Sequence, residues 1–187
     1  MKIEDFRTEP LENPRYIVPA LARYSQDGVK RDWEIVKAHD SVAILLYHTG
    51  RKAFVLVKQF RPAVYPKDGS GMTVELCAGL VDKPFSLTQI AKEEIVEECG
   101  YDVPEEQIEK VTSFYTSVGF AGAKQTLFYA EVDERMRVNE GGGIEGESIE
   151  LVYLPVGEAK PFLFDESVPK TPGLMFAFMW WFDRFGQ

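Results

Sequence analysis

Lys92-Glu93-Glu94-Ile95-Val96-Glu97-Glu98 sets four carboxylates into a stretch, Leu87 to Cys99, whose apolar residues recur at helical spacing. With Leu87 as origin and about 100° per residue, Ile90 falls near roughly 300°, Ala91 near 40° and Ile95 near 80°. On the same wheel Glu94, at roughly 340°, and Glu98, at roughly 20°, land inside that apolar stripe, and Glu97 lies at its edge. Like charges one turn apart destabilise even an exposed helix by ~0.2–0.5 kcal/mol. Desolvation raises the cost to several kcal/mol per ion. A divalent cation held through oxygen, Mg²⁺ or Mn²⁺, offsets both. The alternative is an acidic helix turned the other way, with its carboxylates in water. The two histidines, His39 and His48, are far apart in sequence and carry no site argument, so a His-rich zinc site is not expected.

The elements that must position these acids are legible. Ser86-x-x-Gln89 is a capping-box pattern after Pro84, and Gly100 supplies the stop, so the helix is expected over 87–99. Strands are expected at Ser41–His48 and Ala53–Phe60, joined as a hairpin through Thr49-Gly50. Others are expected at Val74–Cys77, Val111–Tyr115, Gln125–Val132 and Ile149–Leu154. Two helices should close the chain, near 157–164 and 173–185. Strands mixed with helices, without regular alternation, predict an α/β fold with a mixed sheet. Upstream, Tyr16-Ile17-Val18 and Trp33-Glu34-Ile35-Val36 read as short strands around an Asp27-Gly28 turn. Residues 1–38 therefore form a small N-terminal β segment, and 39–187 the main domain. Asn139 to Gly143 reads as a flexible loop.

Composition narrows the function. The 187 residues carry 30 acidic and 21 basic side chains, a net charge of −9. Such a balance argues against nucleic-acid binding and against adhesion to anionic membranes. An anionic substrate then needs local Arg, Lys or a bound metal. Cys77 and Cys99 cannot build a disulfide framework and are expected as buried free thiols in a reducing compartment. The start is polar, without an apolar signal region, and the apolar stretch from Gly173 to Phe182 is too short to span a bilayer. A cytoplasmic protein is the expectation.

Gly79, Glu94, Ile95, Glu97, Glu98, Gly100 and Tyr101 resemble the signature of the Nudix hydrolases, G-x5-E-x7-R-E-U-x-E-E-x-G-U, where U is a bulky apolar residue. Two positions depart from it: Phe85 stands where the first Glu belongs, and Glu93 where the Arg belongs. In the family those two residues pair and hold the loop onto the helix. Their joint loss removes a structural ion pair and leaves the metal-binding set, with Lys92 as a partial substitute and Asp82 as a helper from the loop. Further segments, Val55 to Tyr65, Val74 to Asp82, Gly141-Gly142-Gly143 and Pro169-Lys170-Thr171, look like the UDP-sugar pyrophosphatase branch. The neighbouring branch cleaves ADP-ribose to AMP and ribose 5-phosphate. It usually carries a proline where Val118 stands, which favours a UDP-sugar here.

The resemblance implies an α/β/α sandwich, a homodimer joined through the N-terminal segment, and Mg²⁺-dependent hydrolysis of UDP-glucose to UMP and glucose 1-phosphate, with Mn²⁺ able to substitute. It makes Glu94, Glu98 and the Ala78 carbonyl metal ligands. Glu97 counts both as a ligand and among the catalytic carboxylates, against an exposed helix residue. In the loop before the last strand, Glu145 is the candidate base and Glu147 the candidate ligand, with the roles exchangeable and an acidic solvated loop as the plain alternative. Arg61 is a candidate for phosphate contact, against a surface salt bridge. Trp33 is a candidate for stacking on uracil, against a buried packing residue. A rival of another class is a Nudix module that binds without catalysis.

Overall fold

A computed structural model describes residues 3–144 and 146–186, which divide into two compact units. The first comprises the N-terminal residues up to His39 together with Tyr115–Ala123. Its body is an antiparallel hairpin of β1 (Ile17–Gln26) and β2 (Val29–Ala38), paired from Ile17↔Ala38 to Gln26↔Val29. The strands run longer than the apolar clusters that mark them in the sequence. The turn between them has Asp27 at φ 53° and Gly28 at φ 77°, the left-handed pair that matches strand twist in a two-residue hairpin. Val36 N donates to Phe120 O (2.8 Å) within the same unit.

The second unit holds β3 (Ser41–His48), β4 (Ala53–Phe60), the short α1 (Tyr65–Asp68), β5 (Met72–Glu75), β6 (Cys77–Leu80) and α2 (Leu87–Glu94). It continues through β7 (Glu109–Thr116), β8 (Ala123–Val132), β9 (Ile149–Pro155), α3 (Val156–Phe164) and α4 (Pro172–Phe185), apart from the ends of β7 and β8 that belong to the first unit. Seven strands make one mixed sheet, in the order β5-β4-β3-β8-β7, with β6 on β3 and β9 on β4. Strand β3 runs parallel to β8 along one side. Along its other side it pairs with β6 over Ser41–Ile44 and with β4 only over Leu46–His48. The expected β3–β4 hairpin is therefore real but short, and β3 opens to admit β6, the strand that leads to the acidic helix.

Alternation explains the layers. Val42, Ile44 and Leu46 of β3, with Val55 and Val57 of β4, pack with Ile90, Ala91, Ile95 and Cys99. Ala43 and Leu45, with Phe54 and Leu56, pack with Leu163, Leu174, Phe178 and Trp181 of the C-terminal helices. Successive strand residues face opposite ways, so both faces of the sheet are covered and the second unit is an α/β/α sandwich. Both cysteines are buried and free. No helix among the described residues is long and apolar enough to cross a membrane.

Candidate active site

Helix α2 begins as its sequence predicts: Ser86 Oγ accepts from Gln89 N (3.0 Å). Its end differs from the regular helix over 87–99. From Ile95 to Cys99 the chain forms a π turn, in which Gly100 N reaches back to Ile95 O, and Gly100 stops it at φ 79°. Widened turns of this kind concentrate at functional sites because they re-aim side chains. Glu97 and Glu98 both lie on it.

Glu98 is the most enclosed of the acids, 5% exposed. Its Oε2 accepts from Ala78 N (2.9 Å), which ties the helix end to β6 through the residue expected to offer its carbonyl. Burial pushes its carboxyl up to about 8; the Ala78 and Cys77 hydrogen bonds pull the other way, while Glu94 and Glu147 add to the rise. Glu94 is half-buried and is raised to about 7 by burial, then by Glu97, with Lys83 opposing and Glu147 and Asp82 adding. Glu94 lies directly on the β6 backbone: a Cβ on Gly79 would come within 1.9 Å of Glu94 Oε1. Only glycine leaves room for that carboxylate.

The loop before β9 is stapled to the helix end rather than flexible. Gly142 N donates to Glu98 O (2.9 Å), Gly143 N to Glu97 O (3.1 Å) and Asn139 Nδ2 to Val96 O (3.2 Å). These amides satisfy carbonyls that a helix C-terminus otherwise leaves open. The staple brings the exposed Glu147 into electrostatic range of Glu94 and Glu98; its Oε2 accepts from Ile144 N (3.2 Å). Glu145 lies outside the described residues.

Arg61, just past β4, makes a bidentate pair with Glu75: Nε–Oε1 2.8 Å and Nη2–Oε2 2.7 Å. Glu75 is 7% exposed, and Thr73 Oγ1 donates to it at 2.5 Å. Burial pushes the Glu75 carboxyl up, but Arg61 and Thr73 outweigh it and hold the carboxyl below its ordinary value. The surface salt bridge weighed for Arg61 is thus corrected to a pair with a buried acid, and the guanidinium also feels Glu98 and Glu147. The sequence reading missed Glu75; an acid between apolar residues of a strand was the signal for it. Trp33 belongs to the other unit. It is 57% exposed, not buried packing, and its Nε1 donates to Gly119 O (2.7 Å).

The loop-to-helix ion pair also differs from expectation. Lys92 does not replace the missing Arg; it pairs with Asp102 (3.1 Å). Instead Lys83 Nζ meets Glu93 Oε2 at 2.9 Å.

The donor chemistry fits an oxygen-preferring divalent cation. Glu94 and Glu98 are desolvated, and the hydrogen-bond partners of Glu98 are an amide and a thiol rather than a cation. As the side chains stand, no three His, Cys, Asp or Glu among the described residues already converge as a ligand set.

No family model matches the chain. Comparison with curated proteins finds the uridine diphosphate glucose pyrophosphatase NUDT14 of Bos taurus, 41% identical over 89% of this chain and 88% of its own length. The Mus musculus protein of the same name is 38% identical over 90% and 89%. A GDP-mannose pyrophosphatase of Cronobacter sakazakii is 40% identical over 78% and 75%. Identity at this level, over this much of both partners, establishes common descent: the chain belongs to the Nudix hydrolase family, among its nucleotide-sugar pyrophosphatases.

Proposed function

We propose that the protein hydrolyses the diphosphate of UDP-sugars, converting UDP-glucose and water to UMP and glucose 1-phosphate, with Mg²⁺ as cofactor and Mn²⁺ able to replace it. The observation that carries this is Glu98, a buried carboxylate with no direct ion pair among the described residues, one turn from the half-buried Glu94 and against β6. The names of the mammalian relatives support the substrate.

Glu94 and Glu98 would hold the cation, with the Ala78 carbonyl, Glu97 and Glu147 supplying further oxygens. When bound, the cation neutralises diphosphate charge and makes a water more acidic. The other roles fall to the chain. Glu145, or Glu97, takes the proton from the attacking water. Arg61 commits Nε and Nη2 to Glu75 and offers its remaining Nη1 to a phosphate oxygen. Held by Glu75, the guanidinium is pre-aimed and spends little entropy on contact. Trp33 stacks on the uracil. The protein acts as a cytoplasmic homodimer joined through the N-terminal hairpin, on small nucleotide-sugars rather than on nucleic acid or membranes.

The test is product formation from UDP-glucose, GDP-mannose and ADP-ribose in parallel, with Mg²⁺ and with EDTA. Fastest Mg²⁺-dependent release of UMP from UDP-glucose is expected. Faster GMP or AMP release would keep the chemistry and overturn the substrate. No product from any of them would overturn the enzyme reading in favour of a binding module.

A further inference from the structure

The chain has lost both residues of the family's loop-to-helix ion pair, yet its loop is still tied down. The connection from β6 to α2, residues 81–86, carries Lys83, whose Nζ lies 2.9 Å from Glu93 Oε2. Phe85, at the position of the family's Glu, is 44% exposed. Three successive helix residues are therefore fixed to three different places. Lys92 is held by Asp102, Glu93 by Lys83, and Glu94 by contact with Gly79. We propose that Lys83 and Glu93 form a loop-to-helix clasp, opposite in charge to the family's and moved two residues along the loop, that keeps Glu94 seated on β6. Lys83 is thus a positioning residue for the hydrolase site.

Two features support a positioning role over an incidental surface contact. The clasp closes on the residue next to Glu94, so slack in the loop passes directly to that carboxylate. Lys83 also lies close enough to Glu94 and Glu97 for its charge to be felt by both acids. A cation there opposes binding of another cation by simple repulsion. Field and clasp therefore predict opposite signs when Lys83 is reversed, and this makes the idea testable.

The proposal rests on Glu94 as a metal ligand, and the experiment separates the two. Full-length wild type, K83E, E93K, K83E/E93K and K83R are titrated with Mn²⁺ and followed by electron paramagnetic resonance. Amide hydrogen exchange over 81–86 is measured on the metal-free proteins. The clasp predicts that K83E weakens Mn²⁺ binding about two- to fivefold, the range expected of an exposed ion pair, although its field alone would tighten it. K83E/E93K recovers most of the loss, K83R stays near wild type, and KM for UDP-glucose at saturating metal does not move. Tighter or unchanged Mn²⁺ binding by K83E overturns the proposal, as does a double variant no better than the weaker single one. If wild type binds no Mn²⁺, the metal reading fails by itself and exchange decides the clasp. Faster exchange in both single variants, reversed in the double, supports it; additive effects overturn it.

Discussion

Replacing Glu98 with glutamine should make the metal-free protein more stable while removing its response to metal. The carboxyl rises from an ordinary 4.5 to about 8, chiefly through burial. Between those values the folded chain holds a proton that the unfolded chain has lost, so the stability of the metal-free wild type falls as pH rises across this window. Each pH unit is worth about 1.4 kcal/mol, so Glu98 withholds up to about 4 kcal/mol at pH 8 and about 1 kcal/mol at pH 5. Glutamine carries no charge, and its amide oxygen can still accept from Ala78 N. Thermal unfolding in EDTA should therefore place E98Q roughly 10 °C above wild type at pH 8 and within about 3 °C at pH 5. Adding Mn²⁺ should raise the wild-type Tm by mass action and leave E98Q nearly unmoved. Equal stabilisation at both pH values would show that Glu98 is not held protonated by its surroundings. A variant that still gains from Mn²⁺ would remove Glu98 from the ligand set.

Glu94, raised to about 7, adds to the same pH trend, so Mn²⁺ affinity of the wild type should climb from pH 6 to pH 8 with proton release visible by calorimetry in buffers of different ionisation enthalpy; a flat profile contradicts it. Gly79→Ala should displace Glu94 from β6 and weaken Mn²⁺ binding about tenfold or more, since the new methyl would overlap Oε1; unchanged affinity in titration would mean the contact is incidental. Arg61→Ala should cost about 1–3 kcal/mol in urea unfolding because it removes two charge-assisted bonds from buried Glu75, less than for a fully buried pair since the guanidinium is itself half exposed, and a second change, Glu75→Gln, should return part of that. Gly141→Ala should loosen the loop and lower kcat, because its φ of 68° disfavours a side chain and the methyl would meet Glu98 O; wild-type turnover would argue that the staple does not matter.

The sequence announces most of this site because burial conflicts with charge inside one short segment. Glu94 and Glu98 stand out against Ile90, Ala91 and Ile95 on any helical projection, and their spacing against Gly79 carries the family pattern. The strands are equally plain where apolar residues run without break, as in β3 and β4. What stays hidden is long in range or depends on backbone hydrogen bonding. Nothing local distinguishes a π turn at Ile95–Cys99 from one more α turn; it is stabilised by Gly100 and by loop amides some forty residues further on. Lys83 and Glu93 look like two more charges in a charged stretch until the loop geometry brings them together. Arg61 resembles a free phosphate ligand because Glu75 lies on another strand, fourteen positions on, where β5 pairs antiparallel with β4 and the two side chains meet. The Gly141–Gly143 run reads as slack for a similar reason: the helix-end carbonyls that its amides meet belong to Glu97 and Glu98, far away in the sequence.

Placing Glu97 and Glu98 in the last turn of a helical segment sets them at its electronegative pole, the end where carboxylates are least favoured. The amides of Gly142 and Gly143 occupy two carbonyls there, but they add no net positive charge. To an approaching ion, this end of the helix attracts cations and repels anions. A diphosphate reaching it early would face the helix pole and the acids together. If the acids hold a cation as proposed, a diphosphate would gain entry only once that charge is neutralised, by a cation bound beforehand or carried in with it, and the direction in which one helix runs would then set a metal requirement for substrate entry.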